Sequence, residues 1–349
     1  MKVLVTGGCG FVGSHVVEAL VAADAKVRVV DALLPAAHRD RPAGLSGDVE
    51  YVFADLADPG VAARVVDGVD AVCHQAAMVG LGVDFGDAPA YAHHNVLATA
   101  ILLEALHARR FAGRFVLASS MVVYGEGRYE CPKHGGHRPG PRAPDDLVAG
   151  SFEPRCPVCG QDLEPVAIGE DAVTDPRNVY ALTKLAQEHL CAAYAREHPG
   201  CTATALRYHN VYGPRMPRDT PYAGVASIFR SALERNESPR IFEDGGQLRD
   251  FVHVRDVARA NVLALTVPDP YDGALNVASG TPRSVLDLAN ALVAVAGADQ
   301  VAPVVTGEWR PGDVRHVFAS PGRAARVLGF RADVAFEAGI REFATAPLR

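Results

Sequence analysis

Tyr180 and Lys184 stand four residues apart, in Tyr-Ala-Leu-Thr-Lys, within a segment of helical periodicity. An i,i+4 spacing puts phenol and ammonium on one helix face, a turn apart. A free tyrosine titrates near pH 10, and adjacent positive charge favours its phenolate, lowering it towards a useful general base. Such a pair also decorates many helix surfaces, so a third group has to decide. Leu117-Ala-Ser-Ser120 supplies one, because a strand-like run ends in two serines. Ser120 can share a substrate hydroxyl with Tyr180 and orient it for proton removal; equally, Ser119 and Ser120 can cap a turn.

A second constellation binds phosphate. Val3–Gly13 reads VLVTGGCGFVG: a strand, a glycine turn, then a helix opened by Phe11 and Val12. Gly7, Gly10 and Gly13 let the backbone turn tightly and approach a pyrophosphate lying on the helix N-terminus. The next strand ends in Asp31, 18 residues after Gly13. A carboxylate there accepts from both hydroxyls of an adenosine ribose and repels a 2′-phosphate, favouring NAD over NADP. Asp55-Leu56 and Ala76-Ala77, after the third and fourth strands, are placed to line the same cleft, though each could simply pack.

A third set has metal-ligand spacing. Cys131-Pro-Lys-His134 and Cys156-Pro-Val-Cys159-Gly160 are separated by 21 residues. Two knuckles of this kind match a structural zinc ribbon, with four tetrahedral ligands and no open position, so catalytic zinc is disfavoured. His137 could replace His134. Three free cysteines, or a redox disulfide between Cys156 and Cys159, are the alternatives. Cys9, Cys73, Cys191 and Cys201 read as packing residues. The other histidines, including His93-His94, show no ligand spacing and read as surface residues.

The elements that position these groups alternate. Probable strands are Lys2–Thr6, Lys26–Asp31, Val49–Asp55, Asp70–Gln75, Arg114–Ser120 and Thr202–Tyr208, with amphipathic segments such as Phe11–Ala23, Tyr91–Arg110 and Tyr180–His198 between them. This is an α/β pattern: a doubly wound parallel sheet with helices on both faces and ligands at the carboxyl ends of the strands. Residues 125–175 break the rhythm, rich in Gly, Pro, Cys and charge. After about residue 210 mixed segments, including helices over Gly224–Arg235, Val254–Thr266 and Ser284–Ala296, suit a smaller second lobe. The boundaries are 1–207 for a dinucleotide-binding domain, with an insertion over 128–168. Residues 208–349 form mainly the second domain, its chain crossing back to the first.

Composition sets the outer limits. The 349 residues are 49% hydrophobic and 21% charged, with net charge −7, the balance of a soluble globular protein with no overall pull towards nucleic acid. No run approaches the roughly 20 apolar residues that span a bilayer. The start lacks signal-peptide character, and seven scattered cysteines argue against a disulfide framework, so a cytoplasmic location is expected.

Together the glycine loop, Asp31, Ser120, Tyr180/Lys184 and Arg207-Tyr-His-Asn-Val-Tyr-Gly-Pro214 resemble the extended short-chain dehydrogenase/reductase family in order and spacing. Asp244-Gly-Gly-Gln-Leu-Arg249-Asp and Arg310-Pro-Gly-Asp313 narrow the resemblance to its nucleotide-sugar epimerases and dehydratases. It implies a Rossmann domain with a smaller C-terminal domain binding the nucleotide sugar, NAD as cofactor, and a homodimer formed through the Tyr91–Arg110 and Tyr180–His198 helices. It implies further that Asn95 and Tyr208 lie on the cofactor side. Ser120, Met121, Asn210, Arg249, Arg310 and Asp313 would lie on the substrate side, with Arg249 and Arg310 facing the diphosphate; Arg255 and Arg315 suit solvated surface charge better. The family's 4,6-dehydratases carry Asp-Glu directly after the catalytic hydroxyl residue. Here Met121 and Val122 stand there and cannot move protons, so dehydration is disfavoured.

The implied activity is therefore NAD-dependent 4-epimerisation of a dTDP- or UDP-hexose. A 4-keto-sugar reductase and a non-enzymatic NAD-binding protein are the rivals. The 59 residues between Ser120 and Tyr180 exceed what relatives commonly place there, and the knuckles fall in that excess. The insertion is similar to one in dTDP-L-rhamnose 4-epimerase-like proteins, pointing to a deoxyhexose. The Val79–Asp87 loop, and His209 where relatives usually have Phe, are further departures with a bearing on substrate choice.

Overall fold

The structure, a computed structural model, describes residues 1–35, 38, 42, 45–80, 84–218, 224–297, 301–310 and 312–349. Residues 81–83 of the Val79–Asp87 loop thus lie outside the described residues.

Seven parallel strands form the central sheet: β1 (Lys2–Thr6), β2 (Lys26–Asp31), β3 (Glu50–Phe53), β4 (Ala71–His74), β5 (Arg114–Ser120), β6 (Thr202–Tyr208) and β7 (Gly273–Val277). Their order is β7-β6-β5-β4-β1-β2-β3. The central strands β1, β4 and β5 are short apolar-rich runs buried on both faces, as a parallel sheet requires, whereas the edge strand β3 is partly exposed. Helices Phe11–Ala22 and Val254–Thr266 cover one face, and Pro59–Val65, Ala98–Ala108 and Val179–Glu197 the other. The strand order reverses between β1 and β4, opening a crevice at their carboxyl ends.

One expected helix is interrupted. Tyr91–Arg110 is not a single α-helix: Ala88–Tyr91 passes into a π-helical turn, Ala92–Leu97, before Ala98–Ala108 resumes. The wider turn places Asn95 inward, fully buried. Its side chain accepts from Met78 N (2.7 Å) and donates to Met78 O (3.0 Å) and Thr183 Oγ1 (2.9 Å).

After β6 the chain builds a second, smaller sheet from Asn210–Tyr212, Leu248–His253 and Pro282–Ser284. Helices Val225–Glu234, Val285–Ala296 and Phe336–Thr345 pack over it around Phe229, Phe251 and Phe343. The chain crosses back through Val254–Thr266 and β7, which closes one edge of the main sheet. Between β5 and the Val179–Glu197 helix, an antiparallel sheet sets Arg128–Cys131 between Gly135–His137 and Glu164–Val166. Its own apolar core is only Tyr129, Cys131, Cys156 and Leu163. Among the described residues no helix is long and apolar enough to cross a membrane.

Candidate active site

The crevice is a single cavity of about 1220 Å³ running from the glycine loop to the smaller sheet. Its floor is built for close approach. Gly7 has φ +65°, and a Cβ there would meet the Ala76 backbone at 2.7 Å; a Cβ on Gly13 would collide with the Gly7 carbonyl oxygen. The helix begun by Phe11 and Val12 has Gly10 as its N-cap, with no side chain capping it and no acidic residue in the first turn. Its leading N–H groups therefore face the cavity without an internal partner. Each Asp31 oxygen accepts one backbone N–H, from Cys9 and from Leu33, both at 2.9 Å, and Asp31 lines the cavity. A carboxylate has about four acceptor positions, so lone pairs remain for a diol. Asp55, Leu56, Ala76 and Ala77 line the same end. This floor fits a dinucleotide.

At the end of β5 the chain turns into a short 3₁₀ segment, Met121–Tyr124, and the Ser120 hydroxyl accepts from Val122 N at 3.4 Å. The capping alternative is thus realised, and Ser120 and Tyr180 both line the cavity. Burial pushes Tyr180 up to about 12, and the nearby Ser120 hydroxyl works against that shift. Lys184 lies behind the wall, 3% exposed, its Nζ donating to Ala118 O at 2.8 Å. Burial drives its ammonium down to about 7. Four residues further on, Glu188 accepts from the Ser119 hydroxyl and holds Arg207 through two bonds, 2.7 and 2.9 Å. The helix carrying Tyr180 is thereby fixed to β5 and β6 at three points, two of them ionic or charge-assisted.

The opposite wall carries Met121, Asn210, Arg249, Arg310 and Asp313, all lining the cavity. Arg249 donates to the Leu248, Arg315 and Val314 carbonyls at 2.8 to 2.9 Å. Arg310 stacks on the Phe242 ring at 4.7 Å. Tyr208 also lines it, its hydroxyl 3.1 Å from Gln75 Oε1 and 3.0 Å from Asn261 Oδ1, alternative acceptors for its one proton. Of the sequence-predicted cleft residues, only Asn95 and Lys184 stand behind the lining. Arg177, Arg215, Gln247 and Arg349 line the cavity too. Nothing in their spacing marked them; Arg349 reaches the glycine loop from the far end of the sequence, its Nη1 donating to Cys9 O at 2.6 Å.

Two expectations are corrected. Arg315 is no surface charge: it is 2% exposed, caged by Glu153, Glu243 and Asp244 at 2.6 to 2.9 Å. A guanidinium so deep is tolerated because three carboxylates surround it. Nor are the histidines generally superficial. His74 is fully buried between Thr6 Oγ1 (2.6 Å) and Thr99 Oγ1 (2.8 Å). His93 and His94 remain accessible, but their ring nitrogens lie within 4.8 Å of each other and of an Asp55 oxygen.

The ligand atoms of Cys131, His134, Cys156 and Cys159 also lie within 4.8 Å of one another. Zinc bonds of 2.3 Å to sulfur and about 2.0 Å to nitrogen give tetrahedral edges of about 3.8 Å between sulfurs and about 3.5 Å between sulfur and nitrogen. Cys131 Sγ is 3.8 Å from Cys159 Sγ and 3.4 Å from His134 Nδ1, and Cys156 Sγ is 3.5 Å from that same nitrogen. The set fits a tetrahedral ion. None of the seven cysteines is joined in a disulfide.

A family model for the NAD dependent epimerase/dehydratase family matches residues 3–145 and 148–278. The chain belongs to that family. Membership makes it an NAD-dependent enzyme of the nucleotide-sugar epimerase kind, as its relatives are. It is 34% identical to the dTDP-L-rhamnose 4-epimerase of Burkholderia thailandensis, over 99% of this chain and 94% of that one. The UDP-glucose 4-epimerase of Thermus thermophilus, solved with NAD, is 29% identical, with TM-score 0.76 over 99% of this chain and 98% of that one. The UDP-N-acetylglucosamine 4-epimerase of Methanobrevibacter ruminantium, solved with UDP-N-acetylmuramic acid, is 28% identical with TM-score 0.79, over 98% and 96%.

Proposed function

We propose that this epimerase-family chain inverts C4 of a dTDP- or UDP-hexose through a transient 4-keto sugar, with Tyr180 as the general base. The observation that carries the reading is that Ser120, at the end of β5, and Tyr180 line one cavity together with the glycine loop, close enough that the Ser120 hydroxyl favours the phenolate. Ser120 holds the C4 hydroxyl against the phenol, and Tyr180 takes its proton. The glycine loop and Asp31 would hold NAD, which would supply reversible hydride transfer at C4. Tyr180 then gives the proton back to O4, so atoms and electrons balance with no outside reductant. Lys184 supplies positive charge beneath the phenol, and Asn95 positions the catalytic helix through Thr183. Arg249, Arg310, Asn210, Met121 and Asp313 shape the nucleotide-sugar end.

Two structural roles belong to the same reading. Zinc on Cys131, His134, Cys156 and Cys159 closes the insertion, its folding energy replacing a core the segment lacks. A homodimer through the helices beginning near Tyr91 and Tyr180 would cover Leu97 and Leu182, 47% and 58% exposed. The relative that is 34% identical is named a dTDP-L-rhamnose 4-epimerase, which favours the dTDP-deoxyhexose arm. The test is a panel of dTDP- and UDP-hexoses followed by NMR without added cofactor. Inversion at C4 is expected, and conversion only with stoichiometric NAD(P)H would instead make the enzyme a reductase.

A further inference from the structure

A guanidinium taken partly out of water needs an anion, and one without a carboxylate partner calls for an explanation. Arg349 is such a group: it is half-buried and lines the cavity. The chain at 347–349 is fastened to the segment that follows Asn210–Tyr212. Arg215 N donates to Pro347 O (3.3 Å), Arg349 N to Met216 O (3.0 Å) and Arg218 N to Arg349 O (2.7 Å). Leu348 is buried in the core of the smaller lobe, on which Phe11 of the glycine-loop helix also packs. From this anchorage the Arg349 side chain crosses to the glycine loop, where Nη1 donates to Cys9 O at 2.6 Å. Cys9 lies between Gly7 and Gly10, both on the cavity floor, and its own N–H donates to Asp31. A guanidinium has five N–H donors, and that carbonyl takes one. Among the described residues Arg349 forms no ion pair. Arg215, on the same wall, differs: Glu18 meets its guanidinium at 2.5 and 2.7 Å. Burial, and then the like charge of Arg215, hold Arg349 below the usual arginine range; Glu18 and Asp31 act the other way, each more weakly.

We propose that Arg349 is a cofactor-binding residue, its remaining donors holding a phosphate oxygen of the dinucleotide's diphosphate against the glycine loop. The charge balance favours that ligand. The leading N–H groups of the Phe11–Ala22 helix bring only the partial charge of a helix end to a dianion, with no basic side chain among them. An arginine adds a whole charge, in a fork that matches two phosphate oxygens. A ribose 2′-phosphate, the other phosphate that such a cofactor can carry, meets the repelling carboxylate of Asp31. The inference needs only that the cavity takes a dinucleotide, and it is independent of the reaction at Ser120 and Tyr180.

The test compares wild type, Arg349→Gln and Arg349→Lys as full-length chains. Calorimetric titration after dialysis free of nucleotide uses NAD, NADP, ADP and adenosine as probes. Arg349→Gln should weaken NAD and ADP about tenfold each, the loss of one charged hydrogen bond. Adenosine, which has no phosphate, should bind both proteins alike. Arg349→Lys keeps the charge without the fork, so it should lose less than the glutamine variant, and again more for NAD than for adenosine. On the protein as purified, the half-life of bound NAD, read by exchange against labelled NAD, should shorten by the same factor as the calorimetric loss. An equal loss for adenosine overturns the inference, because it would make Arg349 a mere support of the loop. No loss for any probe overturns it too, as does a wild type that binds none of the four. A loss confined to NADP does the same, placing the guanidinium at the ribose 2′ position instead.

Discussion

The end of the sheet that carries Ser120 and Tyr180 and the insertion beside it hold their polar groups by opposite means. Ser120, Tyr180 and Lys184 sit on regular elements whose positions follow from apolar burial: β5 is shielded on both faces, and the Val179–Glu197 helix packs on Leu102, Leu106 and Phe115. The insertion has a cluster of only four buried apolar or thiol side chains of its own for about forty residues, with Leu147 and Ile168 buried outside it. It is fastened by charge instead. Arg142 reaches Glu243 (2.6 Å) and Asp313 O (2.9 Å), and Glu153 reaches Arg315 (2.6 Å) and His316 (2.8 Å). Glu126 accepts from Arg315 N, His316 N and the Tyr129 hydroxyl. Those contacts run to the segment carrying Arg310 and Asp313, on the cavity wall. Removing a group from the first region should change the chemistry and spare the architecture. In the second, the same act should loosen substrate binding and spare the chemistry.

Tyr180→Phe gives the largest expected contrast. Turnover should fall about 10³-fold, the upper part of what a positioned acid–base group contributes. Melting temperature and retained NAD should be unchanged, because the sheet and helix do not depend on the hydroxyl. Lys184→Met comes next, with about 10²-fold lower turnover and a signature in stability. The Lys184 ammonium titrates near 7 when folded and near 10.5 when not. Below pH 7 both states are charged and the cost of burying the charge is fully present. Between 7 and about 10 the unfolded chain holds a proton the folded one has released, so wild-type stability rises with pH. The methionine variant should therefore melt higher than wild type at pH 6, with the gap closing towards pH 10. A gap that does not vary with pH would mean that the lysine stays charged in its pocket.

The insertion should answer differently. Elemental analysis should find about one zinc per chain. Cys156→Ser, or stripping the metal with a chelator, should weaken nucleotide-sugar binding about tenfold or more while NAD retention holds, by analogy with the 10- to 100-fold cost of lost supporting contacts around a metal. Proteolysis should then cut first between residues 128 and 168. Metal-free protein with full sugar affinity would show the strut to be rigid on its ion pairs alone.

How far the sequence could be read follows the same division. β1, β2, β5 and β6 end where their alternation and terminal residues place them, and the cleft residues converge, because a parallel sheet leaves little freedom once its strands are fixed. The cysteine spacing was equally legible as a cluster, and the structure brings Cys131, His134, Cys156 and Cys159 together. What stayed hidden was long-range pairing. Arg315 looked like surface charge because its cage comes from Glu153 in the insertion and from Glu243 and Asp244 near the second sheet. The π-turn at Ala92–Leu97 has no marker either, because tertiary bonds from Asn95 to Met78 and Thr183 select it over a regular helix. His209 could be seen as a departure; that its ring is buried is a fact of the fold.

Glu153→Gln is the smallest and most discriminating test of the strut. The substitution keeps the volume and one carbonyl acceptor but removes the charge that faces Arg315 and His316. Arg315 retains Glu243 and Asp244, so its guanidinium is not abandoned, and the Glu153 side chain is 32% exposed, where water screens part of the interaction. The expected loss is therefore about 1 kcal/mol of local stability rather than the several that an isolated buried charge would cost. It should appear as a few-fold rise in KM, read from progress curves by NMR, with kcat and bound NAD unchanged. An equal fall in kcat would mean that the insertion reaches the reacting atoms. The division between a rigid catalytic scaffold and an ion-paired substrate wall would then be wrong.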